Sequence, residues 1–133
     1  MKKSLFIVLL LFVTFISCKE DKRDSFVGSY ERSQDGSEIK LNLYEDSTFV
    51  YTSTSDVSKL EINNYPEKST FQINGKWGLT NDSLQLYMEH MSHFGKSMEM
   101  NDTMNYKIIQ FKDNILSLKS LSNNDIQEYQ KVR

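Results

Sequence analysis

Apolar and polar residues alternate through most of this chain, and this period of two constrains its fold more than any other feature. The clearest run is 71–80, where Phe71, Ile73, Trp77 and Leu79 are separated by polar residues or glycine. Strict alternation is characteristic of a β-strand with one buried face. No long helical period is present, and the best helix candidate is the short segment 57–63. The sequence therefore predicts an all-β fold.

Short polar segments separate the alternating runs and predict tight turns. Asp and Asn favour such turns because their side chains bond to nearby backbone amides and tolerate left-handed geometry. Short turns between strands indicate sequential antiparallel hairpins. We count about eight strands, at residues 26–32, 37–44, 47–54, 69–80, 83–91, 97–111, 115–121 and 126–132.

An up-and-down meander of eight strands hides its edges by closing into a barrel. The interior of such a barrel is just wide enough to be filled by side chains or to hold one small ligand. We therefore expect an antiparallel β-barrel domain over residues 26–133.

The first residues have the layout of an export signal. Lys2 and Lys3 precede an apolar run at 5–16, and a small residue, Ser17, precedes the chain's one cysteine, Cys18. Positive, apolar and small segments in this order are typical of a signal peptide, and the run is shorter than the roughly 20 residues that span a bilayer. We assign residues 1–17 to a signal peptide and 18–25, which are mostly charged, to a solvated tether.

Composition narrows the classes of function. Cleavage before Cys18 would remove 17 of 133 residues and leave 116, which fits one domain. Without Lys2 and Lys3, 14 basic residues face 18 acidic ones, a formal charge of −4. No clustered basic face is evident, so we expect no nucleic-acid partner. We expect a monomer with no cysteine left for a disulfide or a nucleophile.

The segment around Cys18 resembles a bacterial lipobox, in which the cysteine is lipidated and becomes the first residue of the mature protein. Phe15 departs from the pattern, where leucine is commoner. Lys19-Glu20-Asp21 resembles the export tag of Bacteroidota surface lipoproteins. The resemblance implies a lipid anchor in the outer membrane, facing either the cell surface or the inside of the envelope.

The order of motifs after residue 26 resembles the small lipocalin-like domains of bacterial lipoproteins. It is similar in layout to the N-terminal domain of copper-resistance outer-membrane lipoproteins. The motifs are Gly28-Ser29-Tyr30, Asp46-Ser47-Thr48-Phe49, Gly75-Lys76-Trp77 and Asp82-Ser83-Leu84. That domain usually carries a Cys-x-x-Cys pair near its first hairpin, where this chain has Ser33-Gln34-Asp35-Gly36.

The predicted function is binding, either of a small apolar ligand inside the barrel or of an envelope partner. The alternative is a structural or interaction module with a filled interior, and the absence of a cavity would favour it. The residues expected to face a ligand cavity are Tyr30, Phe49, Tyr51, Trp77, Met88, His90, Met100 and Tyr106.

Both histidines and five of the six methionines fall between residues 88 and 104. Thioether and imidazole groups suit copper(I), because soft ligands select soft ions. A turn at Phe94-Gly95 would place Met88 and His90 across from Met98 and Met100 on facing strands, so an alternative function is copper handling. The candidate ligands are Met88, His90, His93, Met98 and Met100. Core packing and an apolar ligand site explain the same methionines, because methionine fills irregular gaps well.

The sequence gives little support for a catalytic site. Nucleophilic catalysis needs a base beside the nucleophile and a group that orients the base. The two histidines are three residues apart, and neither Gly-x-Ser-x-Gly nor His-Glu-x-x-His occurs. We therefore expect no enzymatic activity and no resident cofactor.

Overall fold

The computed structural model describes residues 22–58 and 67–133. The predicted signal peptide, Cys18 and most of the 57–63 segment lie outside these residues. The described elements are α1 (Lys22–Phe26), β1 (Gly28–Gln34), β2 (Ser37–Leu43), β3 (Thr48–Asp56), β4 (Lys68–Thr80), β5 (Ser83–His93), β6 (Lys96–Lys112), β7 (Ile115–Ser120) and β8 (Ile126–Lys131).

The eight strands form one closed barrel in which each strand pairs antiparallel with the next. The last strand returns to the first, with Tyr30 opposite Lys131 and Glu31 opposite Gln130. The predicted all-β, up-and-down barrel is confirmed. Every strand boundary lies within two residues of its predicted position.

Three of the hairpins turn through two residues that both have positive φ. These pairs are Asp35 and Gly36, Phe94 and Gly95, and Asp113 and Asn114. Positive φ at both central residues matches the right-handed twist of the flanking strands. Asp, Asn and Gly adopt this conformation most readily, which explains why turn chemistry located most hairpins from the sequence.

Alternate side chains of the barrel converge on one core, as the period of two predicts. Leu41, Ile73, Trp77 and Leu86 are all buried in it. The other fully or nearly buried members come from α1 and from seven strands: Phe26, Tyr30, Ile39, Leu43, Phe49, Leu84, Met88, Tyr106, Leu116, Leu118 and Tyr129. Burial of this apolar surface is the main source of stability in a domain of this size.

Helix α1 closes one end of the barrel. Its last residue, Phe26, is buried, and its ring centre lies 4.4 Å from that of Phe111. The buried Tyr30 hydroxyl donates a hydrogen bond to the Phe26 carbonyl at 2.6 Å. The Arg23 guanidinium lies 4.7 Å from the centre of the Trp77 ring. We call this the closed end, and the opposite end of the barrel the open end.

Helix α1 forms hydrogen bonds with three places at the closed end, namely the β2–β3 connection, the β4–β5 connection and the end of β8. Arg23 donates to the Glu45 carbonyl at 3.2 Å, and Lys22 donates to the Asn81 carbonyl at 3.3 Å. Lys131 donates to the Ser25 carbonyl at 2.8 Å. The sequence assigned residues 22–25 to the solvated tether and began the first strand at Phe26. In the structure residues 22–26 form helix α1, and the buried Phe26 anchors this helix at the closed end of the barrel.

Three register shifts interrupt the pairing of the described strands, in β4–β5, β5–β6 and β6–β7, and the first and last are bulges that change which side chains face inward. Glu89 is the extra residue of β5 between the pairs Gly75–Met88 and Asn74–His90. Ile109 is the extra residue of β6 between the pairs formed with Leu118 and Ser117. A bulge puts two residues opposite one, so the alternation of faces reverses across it.

Gly75 lies at the β5 bulge, and a side chain there would collide with the neighbouring strand. A Cβ atom on Gly75 would overlap the carbonyl oxygen of Tyr87 and lie 3.0 Å from a ring carbon of Phe49. A Cβ on Gly78, three residues along the same strand, would meet nothing within 4 Å. The close approach of β4 and β5 therefore requires glycine at one position and not at the other.

We expect Gly75→Ala to lower the free energy of unfolding by at least about 2 kcal/mol, since overpacking against backbone cannot relax easily. Gly78→Ala is the matched control and should be neutral or slightly stabilising, because alanine has less backbone freedom to lose. Denaturant unfolding followed by circular dichroism measures both. Equal effects of the two substitutions would contradict the packing at Gly75.

Candidate functional site

The interior of the barrel contains a cavity at its open end, with a volume of about 320 Å³. The side chains that surround it come from β3, β4, β6, β7, β8 and the connection between β7 and β8. They are Tyr51, Phe71, Ile73, Met104, Tyr106, Ser120, Ser122, Asn123 and Gln127. Ligand pockets typically measure about 300–1,000 Å³, so the cavity lies at the small end of that range.

The cavity has one apolar side and one polar side. Phe71, Ile73 and Met104 supply aliphatic, aromatic and thioether surface from β4 and β6. Ser120, Ser122 and their neighbours supply hydroxyl and amide groups, and the hydroxyls of these two serines are 2.9 Å apart and hydrogen-bonded. An apolar wall with a few convergent polar groups is the usual composition of a small-molecule site.

Arg32 is a half-buried positive charge on the strand next to the polar wall of β8, although it does not itself line the cavity. It shares the inward face of β1 with Tyr30 and lies opposite the buried Ile39 of β2. Its guanidinium carbon is 5.1 Å from the centre of the Tyr129 ring, and one terminal nitrogen donates to the Gln34 side-chain oxygen at 2.5 Å. The Nε atom of Arg32 is buried and has no hydrogen-bond partner.

Three tyrosines lie close enough to Arg32 or to one another to affect each other's ionisation. Burial raises the pKa of Tyr129, and the positive charge of Arg32 partly opposes this increase. Burial also raises the pKa of Tyr106, with a smaller increase from Tyr51 and an opposing effect of Arg32. Tyr129 donates to the Gln127 side-chain oxygen at 3.1 Å, and Gln127 in turn lines the cavity. Arg32, Tyr51, Tyr106 and Tyr129 therefore form one interior cluster, which we call the Arg–Tyr cluster.

Only some of the residues predicted to line a cavity do so. Tyr51 and Tyr106 line it. Tyr30, Phe49, Trp77 and Met88 are inward-facing and buried, as expected, but they pack in the core rather than around the cavity. Met100 is partly buried against that core.

His90 is the clear exception among the predicted cavity residues. It is exposed and lies opposite Asn74 and Glu99 on the outer surface of the barrel. The prediction assumed that His90 continues the inward row of Leu84, Leu86 and Met88. The bulge at Glu89 reverses the alternation, so Met91 packs against the core in its place. No sequence pattern signalled this bulge.

The candidate copper ligands lie on one hairpin but are not gathered at one point. The turn at Phe94 and Gly95 exists as expected. Met88 and His90 were expected opposite Met98 and Met100, but the register places Met88 opposite Asp102 and His90 opposite Glu99. Met98 is 56% exposed and faces Met91, whereas Met88 is buried. His93 contacts the Ser69 hydroxyl at 3.0 Å.

Within residues 22–58 and 67–133, no group of three or more His, Cys, Asp or Glu side chains is placed to hold a metal ion. In the same described ranges, no helix has the length and apolar character needed to cross a membrane. No protein-family model, curated protein or solved structure matches the chain.

Sequence reasoning missed much of this site. Phe71, Ile73 and Met104 share the inward parity of residues that were chosen, so the alternation could have identified them. Arg32 also continues the inward row of Gly28 and Tyr30, but a charged residue was not considered as an interior group. The polar wall from Ser120 to Gln127 carries no apolar alternation, and no sequence signal indicates it.

The buried tyrosines make a prediction for alkaline pH. Burial raises the pKa of Tyr129 above its unfolded value of about 10, so the folded state keeps a proton that the unfolded state releases. The free energy of unfolding should therefore fall as pH rises above about 10, by up to about 1.4 kcal/mol per pH unit for each such tyrosine. Tyr129→Phe should make this fall less steep, as measured by denaturant unfolding between pH 8 and 11.

Tyr44→Phe is the control for this measurement, because Tyr44 is 46% exposed at the surface. The slope of stability against pH should not change in that variant. If Tyr129→Phe also leaves the alkaline slope unchanged, the hydroxyl of Tyr129 is not buried as described.

Proposed function

We propose that this protein is a membrane-anchored envelope lipoprotein whose barrel binds a small, largely apolar ligand. The observation that supports binding is the 320 Å³ cavity inside the open end of the barrel. A module that acts only through its outer surface has no need for interior space, and barrel interiors of this size are otherwise filled by side chains. The ligand enters between the strand connections at the open end.

The volume sets the size of the ligand. A water molecule occupies about 30 Å³ in the liquid, so the cavity holds a molecule of roughly ten non-hydrogen atoms. Phe71, Ile73 and Met104 form the wall that removes the apolar part of such a ligand from water. Burial of each methylene contributes about 0.8 kcal/mol, offset by the entropy that the ligand loses on binding.

The lipid anchor gives this binding site a direction. Only three residues separate Cys18 from Lys22 in the sequence, and four residue steps of fully extended chain span at most about 14 Å. Because α1 plugs the closed end, a lipidated Cys18 holds that end towards the membrane. The cavity then opens away from the bilayer, towards a soluble ligand or an envelope partner. On this proposal the protein is a monomer in the outer membrane.

1-Octanol is a suitable neutral probe, because it has nine non-hydrogen atoms. We expect the full chain in phosphatidylcholine nanodiscs to bind it with about 1:1 stoichiometry, measured by isothermal titration calorimetry against empty nanodiscs. Ile73→Trp should weaken binding by at least about tenfold, since the larger ring fills the cavity and a loss of 1.4 kcal/mol is tenfold in affinity.

Thr70→Trp is the matched control for the filled cavity. Thr70 is on the same strand but exposed on the outer face, so the same new side chain there should leave octanol affinity within about twofold of the original. Absence of saturable binding to the original chain, or equal loss in both variants, would refute ligand binding in the cavity.

The anchor has a separate test. Expressed in a Gram-negative host, the membrane-associated protein should have an intact mass that reflects loss of residues 1–17 and gain of acyl chains on Cys18. Cys18→Ser should retain residues 1–17 and carry no acyl chains, because serine offers no thiol for the modification. A mature wild-type chain that still begins at Met1 would exclude the anchor without bearing on the cavity.

A further inference from the structure

Arg32 is a half-buried cation on the inward side of β1, and it has no matching anion. Among the described residues no Asp or Glu carboxylate lies within ion-pair distance of it, and the ion pairs that these residues form involve Lys40 and Lys76 on the outer surface. Its Nε–H is buried and makes no hydrogen bond. Buried donors and charges are almost always paired in native proteins, since an unpaired one costs about 1–3 kcal/mol or more.

The surroundings of Arg32 do not explain this unpaired donor. The guanidinium carbon lies 5.1 Å from the centre of the Tyr129 ring, the Tyr129 hydroxyl also interacts with the guanidinium, and one terminal N–H donates to the Gln34 side-chain oxygen. These contacts are all neutral, so they leave the positive charge unbalanced and the buried Nε–H without an acceptor. A guanidinium forms its strongest hydrogen bonds with a carboxylate, which it can contact through two parallel N–H groups.

The Arg–Tyr cluster lies against the cavity rather than apart from it. Tyr51 and Tyr106 belong to the cluster and line the cavity, and Gln127 joins the cavity to Tyr129 through a hydrogen bond. Phe71 and Ile73, which are also at the cavity, provide apolar surface on another strand. One side of the interior is therefore suited to an anion and the other to a hydrocarbon group.

We propose that the ligand of this barrel is an amphipathic carboxylate, with its anionic group bound by Arg32 beside Tyr51 and Tyr106 and its apolar part against Phe71 and Ile73. This inference rests on the proposed ligand-binding function and specifies the chemical class of the ligand. Arg32 then determines specificity, because an anion gains a charge-assisted hydrogen bond that a neutral or cationic head group cannot form.

Three eight-carbon probes that differ in their head groups test the proposal. Octanoate, 1-octanol and octylammonium are titrated at pH 7.5 into the full chain in phosphatidylcholine nanodiscs, and empty nanodiscs correct for partition into lipid. We expect octanoate to bind about ten- to a hundredfold more tightly than 1-octanol, the range for a hydrogen bond to a charged group. Octylammonium should bind more weakly than both.

Substitution of Arg32 should remove the preference for octanoate and leave the apolar contribution. In Arg32→Gln the affinities for octanoate and 1-octanol should become about equal, whereas Arg32→Lys should restore part of the preference because it keeps the charge. Lys107→Gln is the matched control, because it removes one positive charge from an exposed position beside Tyr106 in β6. The octanoate preference of that variant should be unchanged.

The outcomes separate this inference from the proposed function. Equal binding of octanoate and 1-octanol by the original chain overturns the anion site but leaves the apolar ligand site intact. Failure of all three probes to bind overturns both. A preference for octanoate that persists in Arg32→Gln overturns the assignment to Arg32, and the comparison of probes on the original chain stands even if that variant does not fold.

Discussion

The pairing of β1 with β8 is the interaction on which the rest of this structure depends. It is a short seam, with Tyr30 and Glu31 opposite Lys131 and Gln130. Backbone hydrogen bonds extend it at the closed end, where the Ser29 amide donates to the Arg133 carbonyl at 2.9 Å. Without this seam the sheet would have two exposed edges and its inward side chains would face water. Closure converts eight half-buried strands into one enclosed interior.

Large side chains fill that interior unevenly, and the cavity follows from this. At the closed end, Phe26 from α1 adds a ring to a space that already contains Tyr30 and Phe111. At the open end, Ser120 and Gln127 occupy inward positions of β7 and β8 at the cavity. Because the small and polar residues are collected at one end, the unfilled volume is also collected there.

The two ends differ in their electrostatics as well as in their packing. At the closed end, Lys131 donates to the Ser25 carbonyl, and Arg23 donates to the Ser47 hydroxyl at 2.5 Å. Arg32 lies towards the open end, and its buried Nε–H has no hydrogen-bond partner. The basic groups named at the closed end thus have acceptors, whereas a buried N–H towards the open end has none. A site that receives a ligand is expected to have such an unsatisfied donor.

The sequence by itself determined the strands and their order, because alternation and turn residues act over a few neighbouring positions. It placed every strand boundary to within two residues. It did not determine the site. The reversed face at His90 comes from a bulge that depends on how β4 fits against β5, and the surroundings of Arg32 depend on Tyr129, which is far away in the sequence. Those relations are set by distances between strands, and only the closed tertiary structure fixes such distances.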